Sequence, residues 1–400
     1  MSVLLQWFLS GTVRQALDLR KHVLNLMAAQ RDLLAPEAIG AIGEACAKLR
    51  AAVVAKSDKQ ALQAEMANVE TVANKWLKAY PHANWRENVE VVLVAIAVAM
   101  AIRTYFLQPF KIPTGSMQPT LYGITHKSFR EDPDVKFPTG LDAFVDSWFR
   151  GTTYYHVVCE EDGELREVEQ PKTVFPLVKK QRFQVGTRIY TVWFPPDQLF
   201  GGNAHRSGLL PGQHFRKGED IIKLRVISGD HLFVDRLSYN FRRPERGEVI
   251  VFETKGIEGL PQDQFYIKRM VAMDNEHVRI GDDRHLRING QRLDASTPRF
   301  ENVYHLTGPP KDSEFSGHVN ETVARQNFKP GLAPLFGDDR QEFQVHPKHY
   351  MVMGDNTMNS LDSRAWGDFD QESVIGKSAF VYWPFLSQGD RPGRFGWSHR

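Results

Sequence analysis

Disulfides and metals are the first things this chain lacks. Its 400 residues include two cysteines, Cys46 and Cys159, with no CxxC spacing, which excludes a disulfide framework. Fourteen histidines form no HExxH or comparable ligand pattern, so no structural metal and no cofactor are expected. An excess of one charge is missing too. Fifty Lys and Arg against 48 Asp and Glu leave a net charge of +2, which gives no case for a nucleic-acid partner. The opening MSVLLQWFL is apolar but has no basic flank and no small-residue cleavage site after it, so no removable signal peptide is expected. Long hydrophobic runs are also absent. Val91 to Ile102 is twelve residues without a polar side chain, and as a helix it reaches only ~18 Å against a bilayer core of ~30 Å. By length alone a buried core helix fits. A span is equally open if the stretch extends from Val89 to Leu107, with Glu90 and Arg103 snorkelling outward and Tyr105 and Phe106 at the interface.

What is present describes a folded protein of two or three units, 42% hydrophobic and 24% charged. From Thr12 to about Leu77, apolar residues recur at three-to-four spacing. Breaks at Ala35-Pro36 and near Ser57-Asp58 predict three helices in an amphipathic bundle or hairpin. After Pro109 the helical period disappears. Short runs such as HLFVDRLSYNF, GEVIVFET, QFYIKRMVAM, HVRI and GKSAFVYW, rich in β-branched and aromatic residues, predict an all-β sandwich or barrel in a large β domain. LRINGQRL carries an Asn-Gly hairpin signal.

Three stretches carry candidate chemistry. In IPTGSMQPTLYG, Ser116 lies among turn-formers, and on these residues alone a turn serine is the plain reading. In FYIKRMVAM, strand alternation puts Tyr266, Lys268 and Met270 on one face. A lysine there is either an edge lysine reaching solvent or a desolvated amine able to act as a base. GDNTMNSLDSRAWG is either a solvated polar turn or a support that orients such a base.

QPFKIPTGSMQPTL, GDHLFVDRLSYNFRRPERGEVIVF, FYIKRMV, GDNTMNSLDSRAWG and GKSAFVYWP occur in this order, and together they resemble bacterial type I signal peptidase. The resemblance covers roughly 105–123, 228–290 and 346–385. It implies a signal-peptidase-like β fold with Ser116 as nucleophile and Lys268 as general base. It implies an oxyanion hole formed by Thr114 and the Ser116 N–H, with Ser360 hydrogen-bonded to the lysine. Asp362, Arg364 and Arg269 would form a salt-bridged support. Ile112, Pro113, Met117, Leu121, Tyr266 and Ile267 would form shallow apolar substrate pockets. The implied reaction is removal of signal peptides from secretory preproteins after small residues, the A-x-A pattern, through an acyl-enzyme.

The implied architecture is a cytoplasmic helical region over 1–87 and a transmembrane helix over 88–107. A catalytic β core would occupy 108–123, 228–296 and 346–400. Lys75, Lys78 and Arg86 before the helix favour a cytoplasmic N-terminus, with the catalytic domain outside a bacterial inner membrane, against its lipid. Cys46 and Cys159 would then be separated by the bilayer. Residues 124–227 are expected to form an inserted accessory β subdomain, away from the dyad, with hairpins in TYYHVVCEEDGELREVEQ and TRIYTVWFPP. Residues 297–345 would form a second, Pro- and Gly-rich insertion. Thr357-Met358 replace a charged pair common in the family, which is expected to alter nearby surface. Rival readings are a self-cleaving Ser-Lys repressor, which would need a DNA-binding helix-turn-helix and a basic front, and a non-catalytic membrane-anchored β domain that binds a partner. Oligomeric state is left open.

Overall fold

The computed structural model describes residues 10–78, 83–176, 178–200, 205–304, 316–386, 391 and 393–397. The expectation for the first nine residues lies outside these. The chain divides into two compact units, residues 1–97 and 98–400.

In the first unit, helices α1 (Gly11–Ala29), α2 (Pro36–Val54) and α3 (Lys59–Trp76) begin where local chemistry allows. Ser10 Oγ accepts from the Val13 N–H at 3.4 Å, Pro36 opens α2, and Asp58 accepts from the Ala61 N–H at 2.7 Å. Ile42, Cys46, Leu49 and Val53 form the buried stripe of α2, packed with Val13, Val23, Leu62 and Val69. Both expected breaks are present, and each pair of these helices is in contact. Gln30 closes the bundle: its side chain donates to the Lys78 carbonyl at 2.9 Å and accepts from the Lys78 N–H at 3.0 Å.

Helix α4 (Ala83–Tyr105) follows. Over Trp85–Tyr105 its mean hydropathy is 1.6 and none of it is buried. Twenty-one residues give ~32 Å of helix, enough for a bilayer core. The twelve-residue count fell short because helix formation runs beyond the wholly apolar stretch at both ends. The helix starts before the expected residue 88 and stops at Tyr105, where the chain turns into a strand instead of continuing to 107.

In the second unit the chain enters β1 (Leu107–Lys111), then β2 (Thr125–Ser128), helix α5 (Gly140–Phe149), β3 (Thr152–Val158), β4 (Gly163–Val168), β5 (Lys172–Phe175), β6 (Val178–Val185), β7 (Arg188–Trp193), β8 (His214–Phe215) and β9 (Asp220–Ile227). It continues through β10 (His231–Asp235), β11 (Val249–Glu253), β12 (Phe265–Met273), β13 (His277–Ile280), β14 (Leu286–Ile288), β15 (Gln291–Arg292), helix α6 (Glu321–Gln326), β16 (Glu342–Gln344), β17 (His349–Met353), helix α7 (Ser363–Trp366), β18 (Phe369–Asp370) and β19 (Val374–Trp383). The principal sheet has the order β1-β10-β19-β11-β12-β17-β18, antiparallel throughout. The expected hairpin is present: Asn289 and Gly290, with φ of 52° and 81°, supply the two left-handed positions that let Ile288 pair with Gln291.

Residues 124–227 contain a hydrophobic core of their own, with Leu165, Phe183, Val185, Phe215 and Ile222 among its members. TYYHVVCEEDGELREVEQ does not close on itself as a hairpin. Its two strands separate after Cys159, β3 pairing with β9 and β4 with β6 and β8. TRIYTVW supplies one arm of the β6–β7 hairpin. Helix α5 is an element that the sequence reading missed, although GLDAFVDSWF has a helical period. Residues 297–345 are also more than an excursion, because Phe300, Val303, Tyr304, Ala333 and Phe336 share a core with Val271, Met351 and Met353 of the principal sheet.

The loop after β1 is held by a close backbone approach. A Cβ on Gly229 would stand 1.8 Å from the Ile112 carbonyl oxygen, and no side chain is there to yield. Gly229→Ala should therefore destabilise the second unit by on the order of 3 kcal/mol. Urea denaturation followed by tryptophan fluorescence measures this, and an unchanged midpoint would mean that the loop can move aside.

Candidate functional site

Ser116 reaches its position because β1 stops pairing just before it. The Ile112 N–H donates to the Asp230 carbonyl at 2.9 Å, prolonging the β1–β10 ladder by one step. The chain then turns through Thr114 and Gly115. Lys268 comes from the middle of β12, opposite Ile250 of β11. Its Nζ donates to Ser116 Oγ at 2.6 Å across 152 residues of sequence. Both side chains are buried, Ser116 at 8% exposure and Lys268 at 4%. The lysine lies over the Tyr266 ring, 5.7 Å from its centroid, on the face that strand alternation predicts.

Burial disfavours the ammonium and pushes the Lys268 pKa down to about 8, against an opposing pull from Asp362. Asp362 is itself wholly buried. Burial works against its ionisation, but Arg364 and the Gly354 N–H outweigh that and hold the carboxyl below its ordinary range. Arg364 Nε donates to Asp362 Oδ1 at 2.8 Å and Nη2 to Oδ2 at 2.9 Å.

Arg269 belongs to a second pair that the sequence reading did not assign. It donates from Nε and Nη2 to Asp355 at 2.7 and 2.6 Å, and from Nη1 to the Gly247 and Arg299 carbonyls at 2.7 and 2.8 Å. Thr120 Oγ1 donates to Asp355 as well. Asn356 was missed too. Its N–H donates to the Ser116 carbonyl at 3.0 Å and its Nδ2 to the Gly115 carbonyl at 2.9 Å, fixing the turn from behind. Their signal was the density of short polar residues in GDNTMNSLDSRAWG.

Other expected residues are placed differently. Ser360 is buried beside the site; the expected bond to Lys268 is not formed, and its hydroxyl instead helps to hold the Asp362 carboxyl below its ordinary range. Ile112, Met117 and Leu121 lie in the core with Leu232, Val234 and Val381. They underlie the Ser116 loop instead of lining open pockets, because the loop folds its apolar side chains inward. Pro113 and Thr114 are exposed, and Tyr266 and Ile267 are half-buried. Thr357 and Met358 are buried rather than part of the surface. Thr357 Oγ1 accepts from Arg364 Nη1 at 3.0 Å and from the Val319 N–H at 2.9 Å, while Met358 packs with Val319 and Val323. Cys46 and Cys159 are both free and buried. Among the described residues, no cluster of His, Cys, Asp or Glu could hold a metal ion.

This geometry joins a mainly β fold to a serine and a lysine in hydrogen-bond contact. The sequence matches the signal peptidase family, peptidase S26, over residues 85–129 and 223–383, slightly more than half of the chain, and the chain belongs to that family. It is 29% identical over 156 residues to a probable signal peptidase I-2 of Synechocystis, covering 39% of this chain and 56% of that one. It is 28% identical over 158 residues to a signal peptidase IB of Staphylococcus aureus, covering 39% and 70%. The match thus spans little more than half of the Synechocystis relative. A solved signal peptidase I from Enterococcus faecalis V583 aligns at 25% identity over 34% of this chain and 97% of that one, with a TM-score of 0.24.

The buried amine makes a stability prediction. Its pKa falls from 10.5 in the unfolded chain to about 8 in the fold. Between those values the unfolded state binds the extra proton, so stability rises with pH across the window. Below it the cost is present in full, on the order of 3 kcal/mol. Lys268→Met should therefore be more stable than the parent at pH 7, with the difference shrinking toward pH 10. Urea midpoints at the two pH values test this, and a difference independent of pH would mean that the amine is not desolvated.

Proposed function

We propose that this chain is a signal peptidase I: a membrane-bound serine endopeptidase that removes N-terminal signal peptides from secreted preproteins by a Ser-Lys dyad. The observation that carries the reading is the 2.6 Å contact between Lys268 Nζ and Ser116 Oγ, with an amine whose pKa is lowered to about 8. A neutral Lys268 accepts the Ser116 proton, and the alkoxide attacks the peptide carbonyl to give a tetrahedral intermediate. The Ser116 N–H and the exposed Thr114 hydroxyl serve as donors to the oxyanion. Collapse breaks the C–N bond, the lysine returns its proton to the departing amine, and the mature protein leaves. Water, deprotonated by the same lysine, then hydrolyses the acyl-enzyme and frees Ser116.

Asp362, Arg364, Arg269 and Ser360 support the base. Pro113, Tyr266 and Ile267 supply substrate-facing surface, with Ile112, Met117 and Leu121 beneath it, shaping shallow sites that favour A-x-A cleavage. Helix α4 crosses the inner membrane, with the 1–87 helical region in the cytoplasm and the catalytic domain outside. Residues 124–227 form an accessory subdomain, and 297–345 a second insertion that supports the catalytic loop. Both members of the dyad are present and in contact, which favours an enzyme over a partner-binding β domain.

Purified full-length chain in nanodiscs should cleave a preprotein bearing A-x-A before the mature sequence. The cleavage rate should climb with pH until an apparent pKa near 8 is passed. Ser116→Ala and Lys268→Arg should each lower the rate by a factor of at least about 1,000, since guanidinium does not give up its proton. Parental activity in either variant would end the assignment.

A further inference from the structure

Helix α5 is docked the wrong way round for a protein in water. GLDAFVDSWF places Leu141, Phe144, Val145, Trp148 and Phe149 on one side, and Ala143, Asp146 and Ser147 on the other. An amphipathic helix on a soluble domain turns the first set inward. Here Leu141, Phe144, Trp148 and Phe149 are 75, 52, 63 and 43% exposed, and the helix has no buried residue. Its polar side faces the protein. Asp146 accepts from Tyr154 Oη of β3 at 2.8 Å and from Arg150 Nη1 at 2.7 Å.

The apolar face continues into the C-terminal segment. The Phe385 and Leu386 N–H groups both donate to the Phe149 carbonyl at 3.0 Å, and Trp383 Nε1 donates to the Trp148 carbonyl at 2.7 Å. Phe385, Leu386, Phe395 and Trp397 are exposed, with the Phe385 and Phe395 rings 5.4 Å apart. Connectivity identifies what covers this face. Trp383 ends β19, two strands from β1 in the same sheet, and β1 begins one residue after α4. Trp383 is level with His231 and Lys111, so at ~4.8 Å per strand and ~3.3 Å per residue it lies about 22 Å in a straight line from the end of α4. Trp, Phe and Leu on a helix surface are the chemistry of a membrane interface.

We propose that α5 is an interfacial anchor, with its apolar face immersed at the headgroup–acyl boundary of the bilayer that α4 crosses. The helix lies outside the segments matched to the family. The inference rests on the membrane reading of α4. Together α4 and α5 fix the principal sheet to the bilayer at two points.

Membrane affinity alone is no test, because α4 already confers it. Single spin labels placed by Val94→Cys, Phe144→Cys and Arg340→Cys in the full chain in phosphatidylcholine/phosphatidylglycerol nanodiscs read depth directly. The two native cysteines are buried, and an unsubstituted control measures their labelling. Labels at 94 and 144 should relax more with oxygen than with a water-soluble nickel chelate, and the label at 340 the reverse. An aqueous pattern at 144 with a lipid pattern at 94 overturns the anchor and leaves α4 as a span. An aqueous pattern at 94 overturns both readings. Dipolar broadening between two labels at 144 would show that a second copy covers the face, which also overturns the lipid assignment.

Discussion

The rest of the site depends on keeping one amine dry and in contact with one hydroxyl. An amine held without a counter-ion inside a protein tends to lose its proton or to reach for solvent. Lys268 cannot reach solvent because β12 is an interior strand of the sheet, with Ile250 opposite it and the Tyr266 ring alongside. The adjacent residue, Arg269, points to the other face and is tied to Asp355. Removing one partner of such a buried pair costs about 3–5 kcal/mol. The strand that carries the base is thereby held in rotation as well as in register.

The loop after β17 extends this restraint to Ser116. Asp355 takes Arg269 and Thr120, and Asn356 takes the carbonyls of Gly115 and Ser116. Two consecutive residues thus bind the base-bearing strand and the serine turn to one support. The far end of the loop is held by Arg364, whose donors reach Thr357, Val319 and Asp362. Val319 lies within the 297–345 segment. That segment is therefore part of the support, and Thr357 and Met358 are explained by it: a hydroxyl for Arg364 and a thioether for the Val319 cluster suit a dry position where charged side chains would not.

Much of this was legible in the sequence, for identifiable reasons. The bundle helices showed their period and caps, the Asn-Gly hairpin its turn chemistry, and the dyad its two motifs. What could not be read was long-range pairing. Nothing local says that Arg269 chooses Asp355 over Asp362, since both aspartates lie in the same loop. Substrate-facing and core positions could not be told apart around Met117 and Leu121, because apolar residues in a turn suit either. Helix α5 escaped notice because its flanks read as strands and its apolar face does not serve the core.

Burial sets the charge state of the lysine first, and the nearby ion pairs adjust it. Asp362 alone, buried near Lys268, would stabilise the ammonium and raise its pKa, which is the direction of its effect here. Arg364, bound to it through two direct hydrogen bonds, acts on Lys268 in the opposite direction. The carboxylate stays ionised and positions Gly354 through the backbone N–H at 2.9 Å, while Arg364 offsets part of its pull on the amine. With a pKa of about 8, about a tenth of the molecules carry a neutral Lys268 at pH 7. The protein alone brings the base this far, because Lys268 is already 4% exposed without any substrate present. On the proposed mechanism, a peptide laid over Ser116 would remove the remaining water and favour the neutral amine further, so that more of Lys268 is in the proton-accepting form when there is a bond to cut.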